Sequence, residues 1–296
     1  DVYLDAEAPG VKLGDIGIVT SFRQKQIRVE AMIEGDWTGD ARLRAVVMDG
    51  DEVVKEITSE PSTAADAGGR LTCEALWDSP KLWDLDTPEN MYEVRVSLLK
   101  DSGELIDEAF PVRFGFREFW IDGRDFVLNG KPVHLRALHT NNINRGANLA
   151  SFEGCMATLE RMKEYGFNFL ITGNYHFKPG SVGYMDGLLE ACDRAGVLCS
   201  FSLPHVRDFR MNPEEPETGA AYERLTDWLI RRVRNHPGMV MYAMNHNATG
   251  YYGDQNPLKI DGIYSPENPD VEGAAPRRIR QEALMAQEIA RGIDPT

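Results

Sequence analysis

Ten polar residues stand directly after four apolar runs in the second half of this 296-residue chain. His139, Asn141 and Asn142 follow the first run, and Asn174, Tyr175 and His176 follow the second. His205 follows the third, and Asn245, His246 and Asn247 follow the fourth. Four of the six histidines therefore fall at equivalent places. Neutral imidazoles and amides both donate and accept hydrogen bonds, as a polyhydroxylated ligand requires, and Tyr251, Tyr252 and Trp228 offer aromatic faces. That pattern favours a sugar. The competing chemistry is a transition metal held by His139, His176, His205 and His246 with one open position. No His-x-His or His-x-x-x-His pair supports it, so sugar is favoured, and backbone-satisfied histidines remain a third reading.

Residues so placed need a parallel sheet beneath them, because in parallel α/β architectures the C-terminal ends of the strands line the site. The periodicity supplies one. In "ANLASFEGCMATLERMKEYG", Leu149, Phe152, Met156, Leu159 and Met162 fall at steps of three and four, which predicts a helix ended by Gly166. A strand "FNFLITG" follows, then a helix at "MDGLLEACDRAG" and a strand "VLCSFSL". A helix at "YERLTDWLIRRVRN", a strand "MVMYAM" and a last helix near "PRRIRQEALMAQEIARG" complete the series. This alternation predicts right-handed βαβ units. A closed eight-stranded barrel takes roughly 250 residues, so only its first half, about four units, fits from residue 117 to the end.

Residues 11–116 have period two instead. Ile27, Val29, Ala31 and Ile33 alternate with Arg28, Glu30 and Met32, and Tyr92, Val94, Val96 and Leu98 share one face of "MYEVRVSLL". A hairpin is expected at Asp49 and Gly50 and another at Asn129 and Gly130. A run of short strands with no helical stretch predicts an immunoglobulin-like β-sandwich.

A net charge of −15 opposes a phosphate backbone, so neither nucleic acid nor an anionic membrane is an expected partner. Cys73, Cys155, Cys192 and Cys199 fit no zinc spacing and read as buried free thiols. The N-terminus has no signal-peptide pattern, and the chain reads as cut from something longer. The compartment stays open, with a periplasmic or secreted place favoured.

The order "FREFWIDGRDFVLNGKPVHLRALH", "YGFNFLITGNYH", "ACDRAGVL", "NHPGMVMYAMNHN" resembles glycoside hydrolase family 2, the β-galactosidase, β-glucuronidase and β-mannosidase group. The resemblance implies a multidomain protein with an immunoglobulin-like sandwich followed by a (β/α)8 TIM barrel, acting on a β-linked glycan, with residues 1–10 as the tail of a preceding sandwich domain. It also implies that the fourth strand ends in Asn-Glu, with Glu as the acid/base, and it places His246 at that Asn and Asn247 at that Glu. An amide cannot protonate a leaving group, and retaining hydrolysis needs two carboxyl groups. The family's Arg and His fall on Ile171 and Asn174, and its acidic pair falls near Phe201 and Ser202. Asp193 and His236 read as structural.

The resulting expectation is a fragment of a family 2-like protein with an atypical or lost acid/base, inactive as given. Asn247, His246 and Asp254 are its candidate catalytic positions, the last two as alternative acids. His139, Asn142, Asn174, His176, His205, Asn245 and Tyr251 would bind substrate, with the loop from Asn245 to Ala275 as a lid. An oligo- or polysaccharide is the partner, no cofactor or metal is called for, and the oligomeric state is open. A non-catalytic carbohydrate-binding scaffold is the alternative, and a histidine-dependent metallohydrolase the second.

Overall fold

The computed structural model describes residues 10–35, 37, 39–63, 69–140, 151–172, 182–206, 209, 211–212, 215–244 and 274–294. The chain separates into two compact units, Asp1–His134 with Asn235–Pro237, and Leu135–Arg234 with Gly238–Thr296.

The first unit is antiparallel β-structure. Strands β1 (Lys12–Ser21), β2 (Gln26–Glu34) and β6 (Arg70–Leu76) form one sheet. The second sheet is built on β3 (Asp40–Asp49), β4 (Glu52–Thr58), β7 (Met91–Lys100) and β8 (Leu105–Glu108), with β5 (Ser62–Thr63) and β9 (Val112–Gly115) paired onto it. The two sheets share one core, in which Ile27, Val29 and Ala31 of β2 meet Leu43, Ala45 and Val47 of β3 and Tyr92, Val94, Val96 and Leu98 of β7. The alternation read from the sequence thus selects the buried face, since successive strand residues point to opposite sides. Glu30 departs from it. The pattern turns this residue to solvent, yet it is 7% exposed, with Arg70 Nη1 3.4 Å from its carboxylate. The first hairpin also shifts by one residue: Asp49 pairs with Glu52, so Gly50 and Asp51 form the turn, with Gly50 at φ 62°.

A three-stranded sheet, β10 (Phe119–Asp122), β11 (Asp125–Leu128) and β12 (Lys131–Val133), completes this unit. Asn129 and Gly130 join β11 to β12 with φ of 51° and 81°, the left-handed pair that a two-residue turn requires. Asn235–Pro237 also belongs here: Asn235 Oδ1 accepts from the Ile18 N–H (3.0 Å) and its Nδ2 donates to the Ile16 carbonyl (2.8 Å). The amide therefore satisfies two main-chain groups of β1.

The second unit is α/β. Strands β13 (Ala137–Thr140), β14 (Phe169–Thr172), β15 (Leu198–Ser202) and β16 (Met239–Ala243) are all parallel and lie in chain order. Helices α1 (Phe152–Glu164), α2 (Val182–Ala195), α3 (Ala220–Val233) and α4 (Ala274–Ile293) complete it. Helix α1 starts where Ser151 accepts from the Gly154 N–H, and Gly166 at φ 83° ends it as the Phe167 N–H reaches back to the Met162 carbonyl. Cys155, Leu159, Leu188, Leu189, Cys192, Leu229 and Ile230 pack with Leu170, Cys199, Phe201 and Met239, so these helices cover one face of the sheet. Among the described residues no helix is long and apolar enough to cross a membrane.

Candidate functional site

Leu170, Cys199 and Phe201 turn to the helices, so their neighbours Phe169, Ile171, Leu198, Ser200 and Ser202 turn to the opposite face. The register His139↔Ile171, Ile171↔Ser200, Ser200↔Met241 draws one row across that face. His139, the third residue of β13, is exposed on this row. His205 lies three residues beyond the end of β15 and is half-buried. Two of the predicted site residues thus lie on and just beyond one parallel sheet, on β13 and after β15, with β14 between those strands. Asn142, Asn174, His176, Asn245, His246, Asn247, Tyr251 and Asp254 lie outside the described residues, as does nearly all of the expected lid. So do His176 and His246 of the four-histidine alternative, and among the described residues no group of three or more His, Cys, Asp or Glu is placed to hold a metal ion.

Thr172, which the sequence reading did not single out, and Ser202, near which the family's acidic pair is expected, close the C-terminal ends of β14 and β15. Thr172 is wholly buried and Ser202 is 8% exposed. The Ser202 N–H donates to Thr172 Oγ1 (3.0 Å), and the Ser202 hydroxyl donates to the Thr172 carbonyl. Beside them the Leu203 N–H donates to the Ala243 carbonyl (2.9 Å), so the ends of β14, β15 and β16 are joined in sequence. A polar residue closing each of the runs "FLIT" and "LCSFS" was the available signal. At the other end of β16 the buried Asp193 accepts from the Gly238 N–H (2.9 Å), the structural role expected of it. A Cβ on Gly238 would lie 2.8 Å from the Val197 carbonyl oxygen, so only glycine fits this approach.

Trp228, offered above as an aromatic face for a sugar, sits instead on the outer side of α3, with the Arg232 guanidinium 5.8 Å from its ring. A cavity of about 440 Å³ between α3 and α4 is lined by Gly219, Glu223, Leu284, Met285, Glu288 and Ile289. It belongs to the helix layer and contains none of the predicted site residues. All four cysteines are free and buried. Burial pushes the Cys73 thiol up to about 12, while a hydrogen bond with Cys199, together with complete burial, holds Cys192 well above the usual thiol range.

Comparison with known proteins finds similar sequences and a similar fold. Residues 11–117 match the model of the glycosyl hydrolases family 2. A β-galactosidase of Pectobacterium atrosepticum is 26% identical over 271 residues, covering 84% of this chain and 25% of that protein. A β-glucuronidase of Streptococcus agalactiae is 26% identical over 176 residues, 54% of this chain and 28% of that protein. The structure of a Bacteroides uniformis β-glucuronidase superposes on 97% of this chain and 34% of its own, with a TM-score of 0.64 and 21% identity. The chain therefore spans about a quarter to a third of the length of these relatives, and the likeness of fold runs through both of its units. These matches support a glycosyl hydrolase family 2-like protein.

Proposed function

We propose that this chain is part of a longer family 2-like protein that acts on a β-linked glycan at the C-terminal ends of β13–β16. In this reading the first unit is an immunoglobulin-like sandwich and the second is the first half of a (β/α)8 barrel. The observation that carries it is the order of the parallel sheet: β16 is the fourth strand in sequence and in space and ends at Ala243, so "NHN" at residues 245–247 follows its C-terminal end. That is where catalytic groups gather in barrels of this kind. The names of the relatives, β-galactosidase and β-glucuronidase, support a β-glycoside as the substrate class.

Asn247 then occupies the place of the acid/base. Cleavage of a glycosidic bond leaves an alkoxide unless a proton is delivered to the bridging oxygen, and a carboxyl group tuned to mid-range pKa does this in most such enzymes. An amide holds and orients the oxygen but gives up no proton. His246 or Asp254 would have to supply it, with Asn247 as a positioning group.

A second reading, glycan binding without turnover, is favoured by the same residue, since loss of the acid leaves a sugar-shaped site without its chemistry. The two separate in the full-length protein on p-nitrophenyl β-D-galactoside and β-D-glucuronide, assayed for release of nitrophenol and for binding, each with and without chelator. Hydrolysis that survives chelation supports the first reading, and binding without release supports the second. Asn247→Glu should create or raise hydrolysis if the position has the family's geometry. Neither binding nor hydrolysis by the full-length protein, together with an inert Asn247→Glu variant, would refute the assignment.

A further inference from the structure

The geometry points to a small-molecule site in the helix layer of the second unit: the cavity between α3 and α4 seats an apolar chain that ends in an ammonium group. The inference does not depend on reading the strand ends as a glycan site, since the cavity shares no residue with them.

Helical spacing assembles the lining. Gln281, Leu284, Met285 and Glu288 fall at i, i+3, i+4 and i+7 of α4 and therefore share one side of it. A neighbouring stripe through Ala286 and Ala290 is buried in the core of the unit. Burial of an amphipathic face accounts for that stripe but not for Leu284, which is 53% exposed beside the cavity. From α3 the lining comes from a single turn, Gly219 and Glu223. Gly219 makes the space: a Cβ there would lie 2.6 Å from Met285 Cε, so the missing side chain lets the thioether lie against the start of α3 as the floor. Methionine suits such a floor, because its unbranched side chain repacks around ligands of different shape.

Each helix adds one carboxylate, Glu223 and Glu288. Among the described residues neither takes part in an ion pair or a hydrogen bond. Glu223 lies in the first turn of α3, where the helix dipole favours a negative charge. Glu288 stands outside both terminal turns of α4 and gains no such compensation. Two carboxylates at one cavity, on a chain of net charge −15, attract a cation and repel an anion.

The rest of the lining narrows the class of cation. A hydrated metal ion gains nothing from Leu284, Met285 and Ile289, and among the described residues no group of three or more His, Cys, Asp or Glu is placed to hold one. No aromatic ring lines the cavity, so the apolar face of a sugar has no platform. The volume of about 440 Å³ falls within the roughly 300–1,000 Å³ of small-molecule sites. With only one turn of α3 on its side, the cavity is a pocket for one chain rather than a groove for a helix. An ammonium group on an apolar chain satisfies both parts of it, the charge at Glu223 and Glu288 and the chain on Leu284, Met285 and Ile289.

The test titrates full-length protein with n-hexylammonium, methylammonium, n-hexanol and n-hexanoate by isothermal calorimetry, in the parent and in two double variants. Glu223→Gln with Glu288→Gln removes the charges of the cavity. Glu160→Gln with Glu164→Gln removes the same charge from positions on α1 that do not line it. All four side chains are exposed, so neither variant disturbs the core. Hexylammonium should bind the parent at least about ten-fold more tightly than hexanol, and the cavity variant should lose about ten-fold, the effect of two exposed charge contacts. The α1 variant should stay within about two-fold of the parent, because salt screens distant exposed charges. Methylammonium should bind at least about ten-fold more weakly than hexylammonium, since it lacks the chain, and hexanoate should not bind. Absence of hexylammonium binding, equal affinity for the amine and the alcohol, or equal losses in the two double variants would overturn the site. So would methylammonium binding as tightly as hexylammonium, which would leave only an acidic surface.

Discussion

Replacing Asn129 by alanine tests how much of the first unit rests on one turn residue. Asn129 is 4% exposed and sits at φ 51°. Its Oδ1 accepts from the Glu118 N–H (2.9 Å), and its Nδ2 donates to the Trp83 carbonyl (2.8 Å). Three losses follow in Asn129→Ala. Alanine adopts the left-handed region at a cost of about 1 kcal/mol relative to asparagine, whose short polar side chain tolerates it. Two hydrogen bonds are lost at a net of about 1 kcal/mol each, and stranding the Glu118 N–H adds about 1 kcal/mol or more. Together these amount to about 3–5 kcal/mol, a large part of the 5–15 kcal/mol typical of a domain. Asn129→Gly keeps the turn conformation at no steric cost, so it should recover about 1 kcal/mol of the loss and no more. Urea unfolding followed by tryptophan fluorescence reports chiefly on this unit, because Trp37, Trp77, Trp83 and Trp120 belong to it and only Trp228 to the other. A loss under about 1 kcal/mol in Asn129→Ala would show that the two side-chain bonds are not stabilising. Equal losses in the alanine and glycine variants would refute the conformational part of the reasoning.

The same unit should carry an acid-side pH dependence. Partial burial raises the Glu118 carboxyl pKa, but hydrogen bonds from the Arg23 side chain and backbone and from Ser21 outweigh it, and the net pKa lies below the usual carboxylate value. A depressed folded pKa gives stability that is present above the unfolded value, about 4.3, and is lost as pH falls through the folded one. Melting temperatures between pH 6 and pH 3 should therefore fall less steeply for Glu118→Gln than for the parent, and parallel curves would sink this assignment. In the second unit, Asp193→Ala strands the buried Gly238 N–H and should cost about 1–3 kcal/mol, read from thermal or urea unfolding by circular dichroism; a neutral effect would mean that water or another group serves as well. The four thiols should be silent to a disulfide reagent in native protein at pH 8 and all react in denaturant, since the thiolate is the nucleophile and burial opposes it. Rapid reaction of any of them in the native state would contradict their burial.

Much of this protein is legible from local sequence. The 3.6-residue spacing of Phe152, Met156, Leu159 and Met162 marks the buried stripe of α1, and the alternation through Tyr92, Val94, Val96 and Leu98 marks the inner face of β7. Each pattern states which side of an element is apolar, and an apolar side has to be covered. The order of four strand ends, and the amide at position 247 where the resemblance calls for a carboxyl, are likewise statements of sequence alone. Of the ten residues singled out for the site, the structure describes two, His139 and His205, and sets them on and just beyond one parallel sheet.

Other features depend on partners far away in the chain. Glu30 reads as an outward strand residue, yet it is buried, with the guanidinium of Arg70, forty positions on, against its carboxylate. Asn235 reads as the approach to a strand, yet its amide serves Ile16 and Ile18, more than two hundred residues earlier. Thr172 and Ser202 read as the polar ends of apolar runs, and that they bond to one another follows only when β14 and β15 lie side by side. Apolar periodicity is a property of one segment and its solvent, so sequence determines it. A buried polar group must be matched to a particular donor or acceptor, and tertiary structure alone brings that partner within hydrogen-bonding distance.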